Sequence, residues 1–114
     1  MKNIYKLIKK LSICDPVTIS DKLVKMSEEV GELCAAHMKK IGIKPLKKGE
    51  TMKDVDANIL EEGIDIIATV FDVMAIYGIT YEEMVNAFPE KLGKWKRNIE
   101  RKNKIINERK IINK

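Results

Sequence analysis

The chain has 114 residues, of which 45% are apolar and 34% charged. That size and balance suit one globular domain and exclude a wholly disordered chain, a collagen-like chain and a two-domain enzyme. The formal net charge of +5 is unevenly spread: residues 1–90 hold 12 Lys/Arg against 15 Asp/Glu, whereas residues 91–114 hold 10 against 2.

An acidic body therefore precedes a basic end, of a kind that meets nucleic acid, an anionic substrate or only water. Two cysteines cannot frame a disulfide scaffold, so Cys14 and Cys34 read as reduced thiols of an intracellular, cytoplasmic protein. No run approaches the roughly 18–20 apolar residues of a membrane span. The basic stretch Met1–Lys10 is not followed by the apolar core and small-residue site of a secretory leader, and no membrane partner is expected.

Helical periodicity runs almost throughout, with no sustained alternation to suggest a sheet. Ile4, Leu7, Ile8 and Leu11 predict an amphipathic helix over Asn3–Ile13, interrupted by Asp15 and Pro16. A second helix is expected from Ser20, as N-cap, to about Lys40, with the apolar stripe Leu23, Met26, Val30, Leu33 and Cys34. Gly42 closes it, and Lys39 and Lys40 suit its C-terminal dipole. The segment Gly42–Asp54 reads as a basic surface loop, with Lys44, Lys47 and Lys48 mainly solvated and one or two free to serve a nearby site.

A third helix is expected over Val55–Tyr77, stopped by Gly78. Thr80 and Glu83 fit a capping box that opens a fourth helix at Tyr81, which Pro89 either kinks or divides. Residues 1–100 form the expected domain. Residues 101–114 form a basic helical extension or tail, with Ile105, Ile106, Ile111 and Ile112 at helical spacing.

The third helix is apolar nearly all round, so burial on most sides is expected, at or near a subunit interface of a homodimer or homotetramer. Its polar residues Asn58, Glu62, Asp65, Thr69 and Asp72 step by 4, 3, 4 and 3 and fall on one narrow line. On the second helix Glu28, Glu29 and Glu32 share a side. Antiparallel packing lets Glu29 and Glu32 face Glu62 and Asp65.

Four carboxylates in one partly buried place either take up protons or admit a cation. Mg²⁺ is the natural hard ion for such oxygens, with Mn²⁺ a possible substitute. One histidine and two scattered cysteines offer no zinc spacing, and His37 lacks the Glu-x-x-His pattern of a di-iron site. The competing reading of Glu28, Glu29 and Glu32 is an exposed helix face. Cys34 reads as core, and Asp72 as a structural rather than a catalytic acid.

Glu29-Val30-Gly31-Glu32 followed by Glu62-Gly63-Ile64-Asp65 resembles the ExxE…ExxD signature of the MazG-type all-α nucleoside triphosphate pyrophosphohydrolases. Lys91-Leu92-Gly93-Lys94-Trp95-Lys96-Arg97 is similar to that family's basic stretch after its core helices. The resemblance covers roughly residues 20–100. The 29 residues between Glu32 and Glu62 lie at the long end of the family's spacing.

The resemblance implies an all-α MazG-like bundle of four to five helices, assembled as an oligomer. It implies Mg²⁺-dependent cleavage of a nucleotide to a monophosphate and pyrophosphate. Glu29, Glu32, Glu62 and Asp65 are then the metal ligands, and Glu28 or Glu29 orients or deprotonates the attacking water. Lys25, Lys91, Lys94 and Arg97 contact phosphates. Trp95 either stacks on a base or anchors the fourth helix.

The rival expectation is a small helical interaction module that binds nucleic acid or a protein partner through its basic end, without catalysis. A nucleic-acid binder favours a basic recognition helix and has no use for a buried line of acids, so nucleic acid is not the expected partner.

Overall fold

A computed structural model describes residues 1–112. Four helices account for nearly all of them: α1 (Lys2–Cys14), α2 (Ile19–Lys40), α3 (Met52–Ile76) and α4 (Tyr81–Ile112), with no strand among the described residues. No single helix among them is long and apolar enough to cross a membrane. The chain divides into two compact units, residues 1–78 with α1–α3 and the α4 segment from Ile79 onward.

Local chemistry sets the ends. Thr18, not Ser20, caps α2: its Oγ1 accepts the Asp21 N–H at 3.1 Å, which leaves Ser20 inside the first turn. At the other end Gly42, at φ +81°, turns the chain, and the Ile43 and Lys44 N–H groups both donate to the Met38 carbonyl. α3 begins three residues earlier than Val55. Thr51 accepts the Asp54 N–H and Asp54 accepts the Thr51 N–H at 2.8 Å, a reciprocal cap with aspartate where glutamate is the commoner partner. The Thr51 N–H and the Thr51 hydroxyl, which donates to Asp54 Oδ2 at 3.0 Å, hold the Asp54 carboxyl below the ordinary aspartate range.

In the first unit α3 is the shared element, with α2 and α1 both packed against it. Lys40 pairs with Asp56 near the start of α3, and Lys22 pairs with Asp72 near its end. α2 and α3 therefore run antiparallel. α1 docks through Tyr5, which is buried and meets Phe71 edge-on with ring centroids 5.5 Å apart. Val55 is the one fully buried large side chain of this unit.

α3 is less covered than its apolar sequence leads one to expect. Leu60 is 68% exposed, Ile64 55% and Ile67 48%. Within the first unit α1 and α2 cover only part of the α3 circumference. Cys34, expected in the core, is also exposed, as is Cys14.

Lys22 is the cation at the centre of this unit, only 6% exposed. Its ammonium donates to Asp15 Oδ2 at 2.9 Å and to Asp72 Oδ2, and Ser12 Oγ donates to Asp72 Oδ1. Burial pulls the lysine's pKa down, but the hydrogen bonds to Asp72 and Asp15 outweigh it and hold the group above its ordinary value. Asp15 is held low by the Val17 N–H and by Lys22. A cavity of about 250 Å³ beside this network is lined by Ile8, Leu11, Ala68 and Thr69, with Ser12, Asp15 and Asp72.

In the second unit Thr80 Oγ1 accepts the Glu83 N–H at 3.1 Å and opens α4 where expected. Pro89 sits inside α4 without dividing it, and the helix runs unbroken across residue 100 to Ile112. The tail expected over 101–114 is thus helical as far as Ile112, and its last two residues lie outside the described residues.

Lys22→Met keeps the length of the side chain but strips Asp72 of its cation. Because Asp72 retains Ser12 and some solvent contact, the expected loss is about 1–3 kcal/mol in urea unfolding. Lys9→Met, on the exposed side of α1, is expected to change stability by less than about 0.5 kcal/mol in the same measurement.

Candidate functional site

The Lys22–Asp72 pair sets the register of the hairpin. Seven residues on from Lys22 along α2 is Glu29, and seven back from Asp72 along α3 is Asp65. Three more in each direction reach Glu32 and Glu62. Seven residues are about two helical turns, so all four acids stay on the facing sides.

Their proximity shows in the chemistry of Glu62. Its carboxyl is pushed up to about 7, first by burial, then by its hydrogen-bonding contact with Glu32 and by the negative charges of Glu32, Asp65 and Glu29. Glu29 is only 7% exposed. Glu29 Oε2 and Glu62 Oε2 are both buried with no hydrogen-bond partner. Buried carboxylate oxygens are costly to leave unsatisfied, and these two lie in one group.

The donor set is all oxygen, which suits a hard divalent cation such as Mg²⁺ or Mn²⁺ and no soft metal. Among the described residues no three His, Cys, Asp or Glu side chains converge tightly enough to form a ready-made metal cage. The observation that fits a cation is the pair of orphaned oxygens.

Beside the acids lies a pocket of about 320 Å³. Glu32 and Glu62 form one wall. Ala35 and Ala36, on the next turn of α2, form a floor of small side chains. Lys39, Lys44, Lys47 and Glu50 close the side made by the loop, and Asn58 opens the polar line of α3 into the same space.

The loop is folded, not loose. Glu50 accepts the Lys39 ammonium at 2.8 Å and the Lys47 N–H at 3.1 Å. The Glu50 N–H returns to the Lys47 carbonyl at 2.9 Å, closing a tight turn whose third residue, Gly49, sits at φ +81°. Lys39 and the Lys47 N–H hold the Glu50 carboxyl below its ordinary range. Lys39, expected to suit the dipole at the end of α2, is thus buried and paired.

Two other expected site residues of α2 do not join the acid group. Glu28 and Lys25 are exposed on α2, 3.9 Å apart, and Glu28 is not among the acids that raise Glu62. Lys91, Lys94, Trp95 and Arg97 are exposed on α4, in the second unit, with Trp95 63% exposed. Asp72 accepts hydrogen bonds from Lys22 and Ser12, a structural role. Thr69 turns its hydroxyl to the Asp65 carbonyl one turn back, at 2.8 Å. Periodicity does not single out Lys39 or Glu50 as lining residues, although it does place Asn58 on the polar line of α3. The local cue for the first two is Gly49 next to Glu50 at the end of a lysine-rich loop. No family model, curated protein or solved structure matches the chain.

Glu62 gives a pH test of the acid group. Folded, it holds its proton up to about pH 7, against an ordinary value of 4.5. Its contribution to stability is therefore complete below 4.5 and is lost as pH rises through 7. Glu62→Gln removes that dependence. With chelator present, thermal melts are expected to show the variant gaining on the parent between about pH 5 and 8 and overtaking it at the upper end. Parallel melting curves over that range would mean that the acids do not share a site.

Proposed function

We propose that the chain is a divalent-cation-dependent nucleotide pyrophosphohydrolase of the MazG type, cleaving a nucleoside triphosphate or a related nucleotide to a monophosphate and pyrophosphate. The single observation that carries this reading is the group of four acids from two antiparallel helices, with two buried oxygens left unpartnered. The ExxE…ExxD pattern supports the same assignment from the sequence side.

Glu29, Glu32, Glu62 and Asp65 are the residues to hold Mg²⁺. Bound there, Mg²⁺ supplies Lewis acidity toward phosphate oxygens and lowers the pKa of coordinated water. The protein contributes placement and proton transfer. Glu29, buried and with one oxygen free, is better placed than the exposed Glu28 to orient the attacking water and accept its proton. The water oxygen bonds to the α-phosphorus. The bond to the bridging oxygen breaks, and pyrophosphate leaves with that electron pair. Lys91, Lys94 and Arg97 are proposed phosphate contacts and Trp95 a proposed base contact, all on the surface of α4.

The uncovered face of α3 fits an assembly of copies. Leu60, Ile64 and Ile67 step by four and three along one side of the helix and stay exposed. Burying such side chains is worth on the order of 25 cal/mol per Å². A homodimer or homotetramer joined through this face is proposed.

Pyrophosphate release from a panel of nucleoside triphosphates is expected with Mg²⁺ and to stop on chelation. Glu62→Gln and Asp65→Asn are each expected to lower turnover by more than about 100-fold, beyond the effect of losing a residue that only supports a ligand. No release from any nucleotide across the panel would overturn the assignment. Sedimentation equilibrium is expected to show an oligomer for the parent chain and a smaller species for Ile64→Glu.

A further inference from the structure

The pocket beside the acids has two walls of opposite sign. A free anion entering it meets Glu32 and Glu62, and a free cation meets the lysines. A phosphate chain carrying a divalent cation satisfies both walls at once.

The three lysines on the loop side are not equivalent. The charge of Lys39 is taken by Glu50 at 2.8 Å, in a pair that is itself largely buried. Lys44 and Lys47 have no carboxylate at ion-pair distance among the described residues, although the Lys47 charge still acts on Glu50, so neither is locked in a salt bridge. The Lys39–Glu50 pair and the turn at Gly49 fix the loop at Lys47, while the Lys44 N–H donates to the Met38 carbonyl at 3.1 Å and fixes it at the helix end.

The size and lining also select. About 320 Å³ is at the low end of small-molecule sites, which run from roughly 300 to 1,000 Å³. Its floor is two alanines, and no aromatic ring lines it, so it offers a base nothing to stack on. It suits a compact, highly charged group.

We propose that Lys44 and Lys47, held by the Glu50–Lys39 clamp, bind the outer phosphates of a polyphosphate ester, and so select substrates by the length of the phosphate chain. This rests on the pyrophosphohydrolase reading for the metal-holding acids, and it assigns recognition to the α2–α3 loop. Asn58 contributes an amide to the same space. Glu50, though it lines the pocket, is a positioning residue: it holds the lysine-bearing loop through the Lys39 ammonium and the Lys47 N–H.

The test is calorimetric titration of the full chain with inorganic triphosphate, pyrophosphate and phosphate, each with Mg²⁺ present. Parallel titrations use Mn²⁺ alone. The parent is expected to bind triphosphate most tightly and phosphate least. Lys44→Gln with Lys47→Gln is expected to weaken triphosphate by about tenfold per lysine, as for lost hydrogen bonds to a charged group. It is expected to reduce the preference over phosphate and to leave Mn²⁺ affinity within about twofold. The control with Lys9→Gln and Lys10→Gln, two exposed α1 lysines, removes the same charge and is expected to bind like the parent. Glu50→Gln is expected to weaken triphosphate binding less than the double variant, and a melt reports whether it stays folded.

Unchanged triphosphate binding in the Lys44, Lys47 variant overturns the proposal, and so does equal weakening in the α1 control. A parent that hydrolyses nucleotides while the Lys44, Lys47 variant binds normally refutes the loop and spares the enzyme. A parent that binds triphosphate through these lysines but releases no pyrophosphate does the reverse.

Discussion

One buried cation organises the first unit. Lys22 is bound by carboxylates from the α1–α2 junction and from α3, while α1 reaches the same Asp72 through Ser12. Three helices thus meet at one ammonium. Moving a buried charge out of contact with its partner costs several kcal/mol, so sliding α2 along α3 by a turn is strongly opposed. The positions of Glu29, Glu32, Glu62 and Asp65 follow from that register two or three turns away. Lys40–Asp56 marks the other end of the hairpin, but it is exposed and contributes little to holding it.

The treatment of acids along α3 is uneven in a way that separates structure from chemistry. Asp72 has a cation and a hydroxyl. Glu62, ten residues earlier on the same polar line, has a buried oxygen with nothing to accept from, and three acids around it. A fold optimised only for stability has no reason to keep that group, because replacing it with apolar side chains removes both the desolvation and the repulsion. Paired acids hold the frame, and the acids with orphaned oxygens form the proposed site.

Much of this was legible in the residues. Apolar patterning marks α1, α2 and α3, and the Thr80 capping box marks the start of α4, because these signals are local and need no partner helix. The 4, 3, 4, 3 stepping of polar residues on α3 led directly to the acid group. The ends were less legible. Ser20 competes with Thr18 for the cap, and only backbone geometry decides between two hydroxyl residues so close together. Thr51 departs from the usual capping-box pattern because its partner is Asp54 and not the longer acid.

Lys39 shows a different limit: its partner, Glu50, lies beyond the helix end, across a loop, where no periodic rule reaches. The exposed face of α3 shows a third. A helix apolar nearly all round announces that something covers it, and the pattern is the same whether that cover is its own chain or another.

The two buried lysines have a consequence for amine chemistry. Lys22 and Lys39 are 6% and 8% exposed, and each ammonium is engaged by a carboxylate. Acylating reagents need a free, accessible amine, so in the native protein these two nitrogens stay unlabelled while the surface lysines react. Because one lies near each end of the α2–α3 hairpin, their separate rates of labelling act as clocks for fraying at the two ends.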